Sequence, residues 1–298
     1  MARKPKPVPQ MTVAQFEATF PDENACKTYL QARRWPHGVT CPRCFNTKVF
    51  SVKSMPFKWQ CYGCAPGSGY RFSVIAGTIF ENTNKPLRDW FRVVHFMLAS
   101  KKGMSALQIQ RMMGFGSYGT AHSMCHKIRA ALIEPEAKLG GIVEVDETYV
   151  GGKNKNRHWD KKQPGTLGDK SIVIGAVRRK GNVVARVIAN TDTETLDGFV
   201  RQAVSDKVSL IATDEHSGYR NLGDTFPHGY IRHSIGQYVD GVVHTQTIDG
   251  FWSLIKRGIM GSFHKVSRKY LPLYVAEFQF RYNNRDNPDI FGEAIAGC

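Results

Sequence analysis

Residues 142–152 read IVEVDETYVGG, and this stretch decides how the second half of the 298-residue chain is understood. The apolar, β-branched run at 142–145 has the composition of a strand, yet Asp146 and Glu147 continue it, in a setting where acids are depleted. Reading outward, KSIVIGAVRR and NVVARVIANT form a second and a third strand, joined by short Gly and charged turns. TLDGFVRQAV then has helical periodicity, and VSLIATDEHSGY is a fourth strand ending in a polar cluster. Between the first two strands, NKNRHWDKKQPGTLGD (154–169) is long, polar and basic, the character of a mobile functional loop.

Three successive strands, a helix and a further strand are the order of a ribonuclease H-like sheet. The expected fold is therefore α+β or α/β, with a mixed sheet flanked by helices. Three acids stand out on it. Asp146 lies near the middle of the first strand, Asp214 ends the apolar run SLIAT, and Asp249 opens the helix IDGFWSLIKRGI. Carboxylates set on a rigid sheet and on a helix packed against it can converge on Mg²⁺ or Mn²⁺. Two such ions about 4 Å apart activate a water or a 3′-hydroxyl and stabilise the leaving oxygen. Taken singly, each acid has a plainer reading as a turn or cap residue. Company favours the metal reading, because the acids are doubled as Asp146–Glu147 and Asp214–Glu215. Lys256, seven residues after Asp249, shares its helix face with Trp252 and either grips a phosphate or is solvated. Trp252, Phe251 and Phe263 read as core.

Four of the seven cysteines form CPRC (41–44) and CYGC (61–64), separated by sixteen residues. Each C-x-x-C turn presents two thiolates on one side of a tight loop. Two such knuckles joined by a hairpin make a tetrahedral site for Zn²⁺, against the alternative of two disulfides. KVFSVKSMPFKWQ between them reads as hairpin strands, completing a zinc ribbon with Cys41, Cys44, Cys61 and Cys64 as ligands. With all four positions thiolate, no place is left for a catalytic water and the metal is structural. Cys26, Cys125 and Cys298 read as buried or incidental thiols.

The net charge of +16 is concentrated before residue 140, where 20 Lys+Arg face only 7 Asp+Glu. A basic region of this kind is the electrostatic footprint of a nucleic-acid partner rather than of mere solubility. No apolar stretch approaches the roughly 20 residues that span a bilayer. MARKPKPVPQ is not a secretory signal and is expected to be disordered, and the expected location is the cytoplasm, at the nucleoid. TVAQFEATFPDENACKTYLQARRW has helical spacing with Phe16, Phe20, Tyr29 and Leu30 as core. After the ribbon, a short strand leads to a helix opened by Pro86, with Trp90, Phe91, Val94, Phe96 and Met97 on its apolar face. A short helix over 105–113, a turn through Gly114 and Gly116 and a longer basic helix carrying His122 and His126 then give a helix-turn-helix pattern. Ser117, Tyr118, Thr120, Lys127 and Arg129 are its candidate DNA contacts; the alternative is an ordinary antiparallel helix pair.

The motifs VDETYVGGK (145–153), TDEHSGY (213–219), HTQTIDGFWSLIKRGIMGSFHKVS (244–267) and EFQFRYNNR (277–285) resemble those of a bacterial insertion-sequence transposase family. This ISXO2-like family carries an N-terminal zinc ribbon and a DDE-type domain and is similar to the eukaryotic Merlin elements. The resemblance runs from about residue 15 through nearly the whole chain. It implies that Asp146 and Asp214 are the first two catalytic acids, and the 34 residues from Asp214 to Asp249 are close to the family spacing. The third position is usually Glu; here it is Asp249, with His244 as a second candidate and Gln246 where Asn is expected. Glu277, Arg281, Asn284 and Arg285 form a block without assigned chemistry, Glu277 being a further candidate ligand or simply the partner of Arg281. The implied partners are double-stranded DNA, as element ends and target, and a second copy of the chain in a dimer or higher oligomer. A nuclease of the same fold, or a DNA-binding regulator without catalysis, are the competing readings; Tyr149 leaves a covalent route formally open. The expected organisation is a basic tail over 1–15, helix plus ribbon over 16–75, helix-turn-helix over 76–139 and the catalytic domain over 140–298.

Overall fold

Thr12 and Gln15 cap each other's backbone and so open the first helix, α1 (Val13–Thr19), in a computed structural model that describes residues 10–64, 66–135, 137–151 and 170–298. The basic tail and the loop over 154–169 fall wholly or largely outside the described residues. Pro21 interrupts the helical spacing, and Asp22 caps a second helix, α2 (Glu23–Arg34), by accepting from Ala25 N at 2.8 Å. A three-stranded antiparallel sheet follows, with β1 (Val49–Ser51), β2 (Lys58–Cys61) and β3 (Tyr70–Ser73) in that order. Glu23 accepts from the N–H groups of Leu87 and Arg88 at 3.0 and 3.2 Å and so caps α3 (Leu87–Ala99). Helix α4 (Ala106–Met113) ends on left-handed Gly114, and α5 (Tyr118–Ala131) starts from Ser117 three residues later.

These elements form one of two units, residues 1–132 with 285–298, and the remainder, 133–284, forms the other. The C-terminal helix α9 (Ile290–Ala296) thus belongs with the N-terminal helices, which corrects the expectation of one domain over 140–298. The reason is aromatic packing. Phe291 meets Phe16, Phe20, Tyr29 and Phe91 at ring separations of 5.4 to 6.2 Å. Arg33 pairs with Asp289, and Ile79 N donates to Cys298 O at 3.0 Å. Phe16, Phe20 and Leu30 are fully buried, as expected, and Tyr29 is half-buried.

The second unit begins with β4 (Leu139–Val150), which carries the stretch quoted at the outset. It pairs antiparallel with β5 (Ser171–Arg178), which pairs antiparallel with β6 (Val183–Ile188). Helix α6 (Thr193–Ala203) then returns the chain to β7 (Val204–Thr213), parallel to β4, and β8 (His228–Tyr230) extends the sheet in parallel. The order β6-β5-β4-β7-β8 is the ribonuclease H-like arrangement expected, with a fifth, three-residue strand added. Helix α6 covers one face, packing Leu196, Phe199 and Val200 on Val143, Val145, Ile174 and Ala176. Two helices, α7 (Gln246–Gly258) and α8 (Leu271–Asn283), cover the other, packing Ile248, Phe251, Trp252 and Phe278 on Val173, Val177, Val183 and Ala185.

Helix α8 also closes an open sheet edge. Gln279 accepts from Ala185 N at 2.9 Å, and Asn283 both accepts from Val183 N and donates to Val183 O. Glu134 in turn accepts from Gln279, Asn283 and Asn284. Part of the unexplained EFQFRYNNR block is therefore a side-chain substitute for a missing strand.

Gly175 on β5 stands opposite Asp146 in the ladder, and a Cβ there would lie 2.7 Å from the Trp252 ring and 3.1 Å from Ile248. Gly175→Ala is expected to destabilise the protein by about 1–3 kcal/mol through overpacking against a buried indole. Chemical denaturation with an unchanged midpoint would show that Trp252 has slack.

Candidate active site and metal centres

Alternation along β4 turns Val143 and Val145 toward α6 and Glu144 and Asp146 toward α7. Glu144 pairs with Ala212 across the parallel ladder, so Asp146, two residues on, runs level with Asp214 just past the end of β7. Asp249 lies in the exposed first turn of α7. Burial, followed by the charges of Glu147 and Asp214, pushes the Asp146 carboxyl from 3.8 up to about 7; Asp249 adds to this, while the Trp252 indole donates to Asp146 Oδ2 at 2.8 Å and opposes it. All three predicted acids therefore lie within one electrostatic field.

Glu147 is pushed up by burial and by Asp214, against the Tyr219 phenol that donates to its Oε2 at 2.6 Å. His216 Nε2 lies 3.8 Å from Glu147, and His216 N donates to Asp214 Oδ1 at 3.0 Å, which fixes the turn after β7. Glu215, the second of the doubled acids, accepts from Ser234 N and Oγ at 2.8 and 2.7 Å. The Nδ1 of His244 stands 3.3 Å from Glu144 Oε1. Lys256 is exposed. Glu277 is fully buried with Arg281 Nη2 at 3.5 Å, as the plainer reading had it.

The donor set around Asp146 is all oxygen, mutually repelling and partly open to solvent, which suits hard divalent cations. The acids stand wider apart than the thiols: among the described residues, only the four cysteines bring three or more ligand atoms within 4.8 Å of one another. In that cluster Cys41 Sγ is 3.8 Å from Cys64 Sγ, and Cys44 Sγ is 3.6 Å from Cys61 Sγ. A tetrahedron with Zn–S bonds of about 2.3 Å has edges of about 3.8 Å, so the cluster fits zinc. Burial raises the Cys41 thiol, but the N–H groups of Cys44 and Arg43 and the neighbouring thiols outweigh it and bring it to about 7. Cys64 is pushed up by burial and by the other thiols, so a divalent cation is what lets all four ionise together.

In the helix-turn-helix, Ser117 Oγ accepts from Gly119 N at 3.1 Å as the N-cap, Tyr118 is half exposed, and Thr120 is partly so. Lys127 is exposed, with its ammonium 3.5 Å from Ile79 O. Arg129 is corrected. It continues the apolar stripe of Ala121, Met124, Cys125 and Ile128, is 1% exposed and donates toward Met104 O, so it belongs to the interior rather than to a DNA surface.

Residues 138–283 match the ISXO2-like transposase domain, and residues 21–66 match the transposase zinc-ribbon domain. The chain carries an ISXO2-like transposase domain behind a transposase zinc ribbon. An uncharacterised protein in transposable element ISH50 of Halobacterium salinarum is 28% identical over 278 residues, 88% of this chain and 92% of that protein. A chain in the cryoEM structure of the simian T-cell lymphotropic virus intasome with PP2A regulatory subunit B56 gamma is 15% identical; the match covers 64% of this chain and 65% of that one. Its TM-score of 0.31 is too slight to bear on the fold. No helix among the described residues is long and apolar enough to cross a membrane.

Sequence reasoning missed the contacts around Glu144 and the bond from Trp252 to Asp146. Strand alternation held a signal for the first, since Glu144 shares a face with Asp146; nothing local marks the second, because a core tryptophan reads the same with or without a partner for its N–H.

Two outcomes test these centres in the transposase. Cys61→Ser is expected to lose the bound zinc, measured by atomic emission on the purified protein; full zinc content in the variant would refute the four-thiolate site. Because the fold raises the Asp146 carboxyl, its contribution to stability is complete below 3.8 and is lost as pH rises through about 7. Metal-free wild type is therefore expected to lose Tm relative to Asp146→Asn across that window, and a constant offset would contradict the burial of this charge.

Proposed function

We propose that this transposase cuts DNA at the ends of its element and joins the exposed 3′-hydroxyls to target DNA, with Asp146, Asp214 and Asp249 as the catalytic acids. The observation that carries this reading is the approach of Asp214 and Asp249 to Asp146 beside the paired strands β4 and β7, where burial first, and then the charges of Glu147, Asp214 and Asp249, raise the Asp146 carboxyl to about 7. Their oxygens suit a pair of Mg²⁺ or Mn²⁺ ions, which when bound activate the attacking oxygen and stabilise the leaving one. The Trp252 indole holds one Asp146 oxygen, Oδ2, by a hydrogen bond of 2.8 Å. Asp249 closes the set from the helix, and Lys256 on the same helix contacts the DNA phosphate. Cleavage adds water across a phosphodiester and leaves a 3′-hydroxyl; joining exchanges that hydroxyl for the target's own 3′-oxygen, with no covalent protein intermediate.

The N-terminal unit recognises the element ends. Its excess of basic residues supplies phosphate attraction, and Ser117, Tyr118 and Thr120 at the exposed start of α5 meet base edges, with Lys127 on the backbone. Structural zinc holds the ribbon. Two element ends require two active sites, so the working form is a dimer or higher oligomer on DNA.

The test is incubation of the purified protein with labelled DNA carrying the flanks of its own gene, with and without Mg²⁺, beside Asp214→Asn. Metal-dependent nicks at defined ends together with joined products, both absent from the variant, are the expected result. Cutting without joining would indicate a nuclease, and tight end binding without cutting would indicate a regulator.

A further inference from the structure

Glu144 is fully buried on β4, two residues before Asp146, and its carboxylate is saturated with donors. Oε2 accepts from Thr247 N at 2.7 Å and Ile248 N at 3.1 Å; Oε1 accepts from Thr247 Oγ1 at 2.9 Å and Arg179 Nε at 2.7 Å. Arg179 reaches past it to His244 O at 3.1 Å, and His244 Nδ1 stands 3.3 Å from Oε1. The cap residue Thr245 makes no side-chain capping bond, so the N–H groups that open α7 are met by a carboxylate from the sheet. A negative charge at this end of a helix is favourable, and Arg179 offsets the cost of burying it.

The second point of attachment is Trp252, one turn further on, which donates to Asp146. From Glu144 to Asp146 the strand advances about 6.7 Å, and from Ile248 to Trp252 the helix rises about 6 Å. The two spacings match, so the pair of bonds fixes where α7 lies along β4. Asp249 lies between the two anchors, one residue after Ile248 and three before Trp252.

We infer that Glu144 is a positioning residue for the catalytic acids: by capping α7 from within the sheet it sets the place of Asp249 relative to Asp146 and Asp214. This rests on the reading of those three acids as the metal-binding set. Glu144 is not itself a ligand, because both oxygens are already engaged. Glu144→Gln keeps the volume but puts an amide N–H₂ against donors, which loosens the helix start without emptying the core.

The experiment compares Mn²⁺ affinity, followed by electron paramagnetic resonance on the full-length protein, for wild type, Glu144→Gln, Thr247→Val and Asp146→Asn. Tm and affinity for element-end DNA are measured alongside. Glu144→Gln is expected to weaken Mn²⁺ binding roughly 10–100-fold, the range found when groups that orient metal ligands are removed, with DNA-end affinity unchanged. Thr247→Val removes one donor only and should show a smaller loss; it also decides the matter if Glu144→Gln does not fold. A purely structural role would lower Tm and leave the Mn²⁺ affinity of the folded protein intact, and that result overturns the inference. Asp146→Asn separates the two levels. If it weakens Mn²⁺ binding while neither Glu144→Gln nor Thr247→Val does, only the positioning role falls; if Asp146→Asn is also without effect, the metal-binding reading of the acids falls and the inference with it.

Discussion

A strand covered on both faces carries three acids within four residues, and each buried carboxylate there needs a donor from the layer it faces. That requirement organises the second unit. Glu144 is answered by the start of α7 and by Arg179, Asp146 by the Trp252 indole, and Glu147 on the opposite face by the Tyr219 phenol. Remove the partners and the strand would hold uncompensated charge; keep them and α7 and the turn after β7 have little freedom to shift. Gly175 belongs to the same constraint, since only a residue without a Cβ lets the indole lie close enough over β5.

The N-terminal unit solves a different problem. Strands of three or four residues cannot bury enough apolar surface to hold their own hairpin, and coordination replaces the missing core. Around the ribbon the unit relies on aromatic rings and on side chains that cap neighbouring elements, with Glu23 on α3 and Arg34 on the carbonyls of Val74 and Ala76. Its basic surplus is carried by surface residues such as Lys127, whereas Arg129 shows that a cation in a basic helix can be a core residue.

Much of this was legible in the sequence, for physical reasons. Apolar runs broken by Gly and charged turns marked β4 to β7 and α6, and thiol spacing marked the ribbon. Acids inside a strand stand out because strands reject them, which is why Asp146 was visible. What escaped notice depends on distant partners. A three-residue strand such as β8 carries too little periodicity to register. Gln279 and Asn283 look like ordinary polar helix residues until an edge strand 94 to 100 positions away needs their amides. The return of residues 285–298 was hidden because Phe291 is as compatible with one hydrophobic core as with another. Arg129 misled because its place on the buried stripe was outweighed by its charge.

The return of α9 has a consequence for how the protein is made. The aromatic cluster of the first unit lacks Phe291 until the chain beyond residue 284 has been synthesised, so the whole sheet unit must be translated in between. At ordinary elongation speeds that interval is roughly ten to thirty seconds. During it the nascent N-terminal helices wait with an unfilled aromatic face, while residues 133–284 have every element of their own core at hand. The first unit, although most of it is translated before residues 133–284, is therefore completed after them.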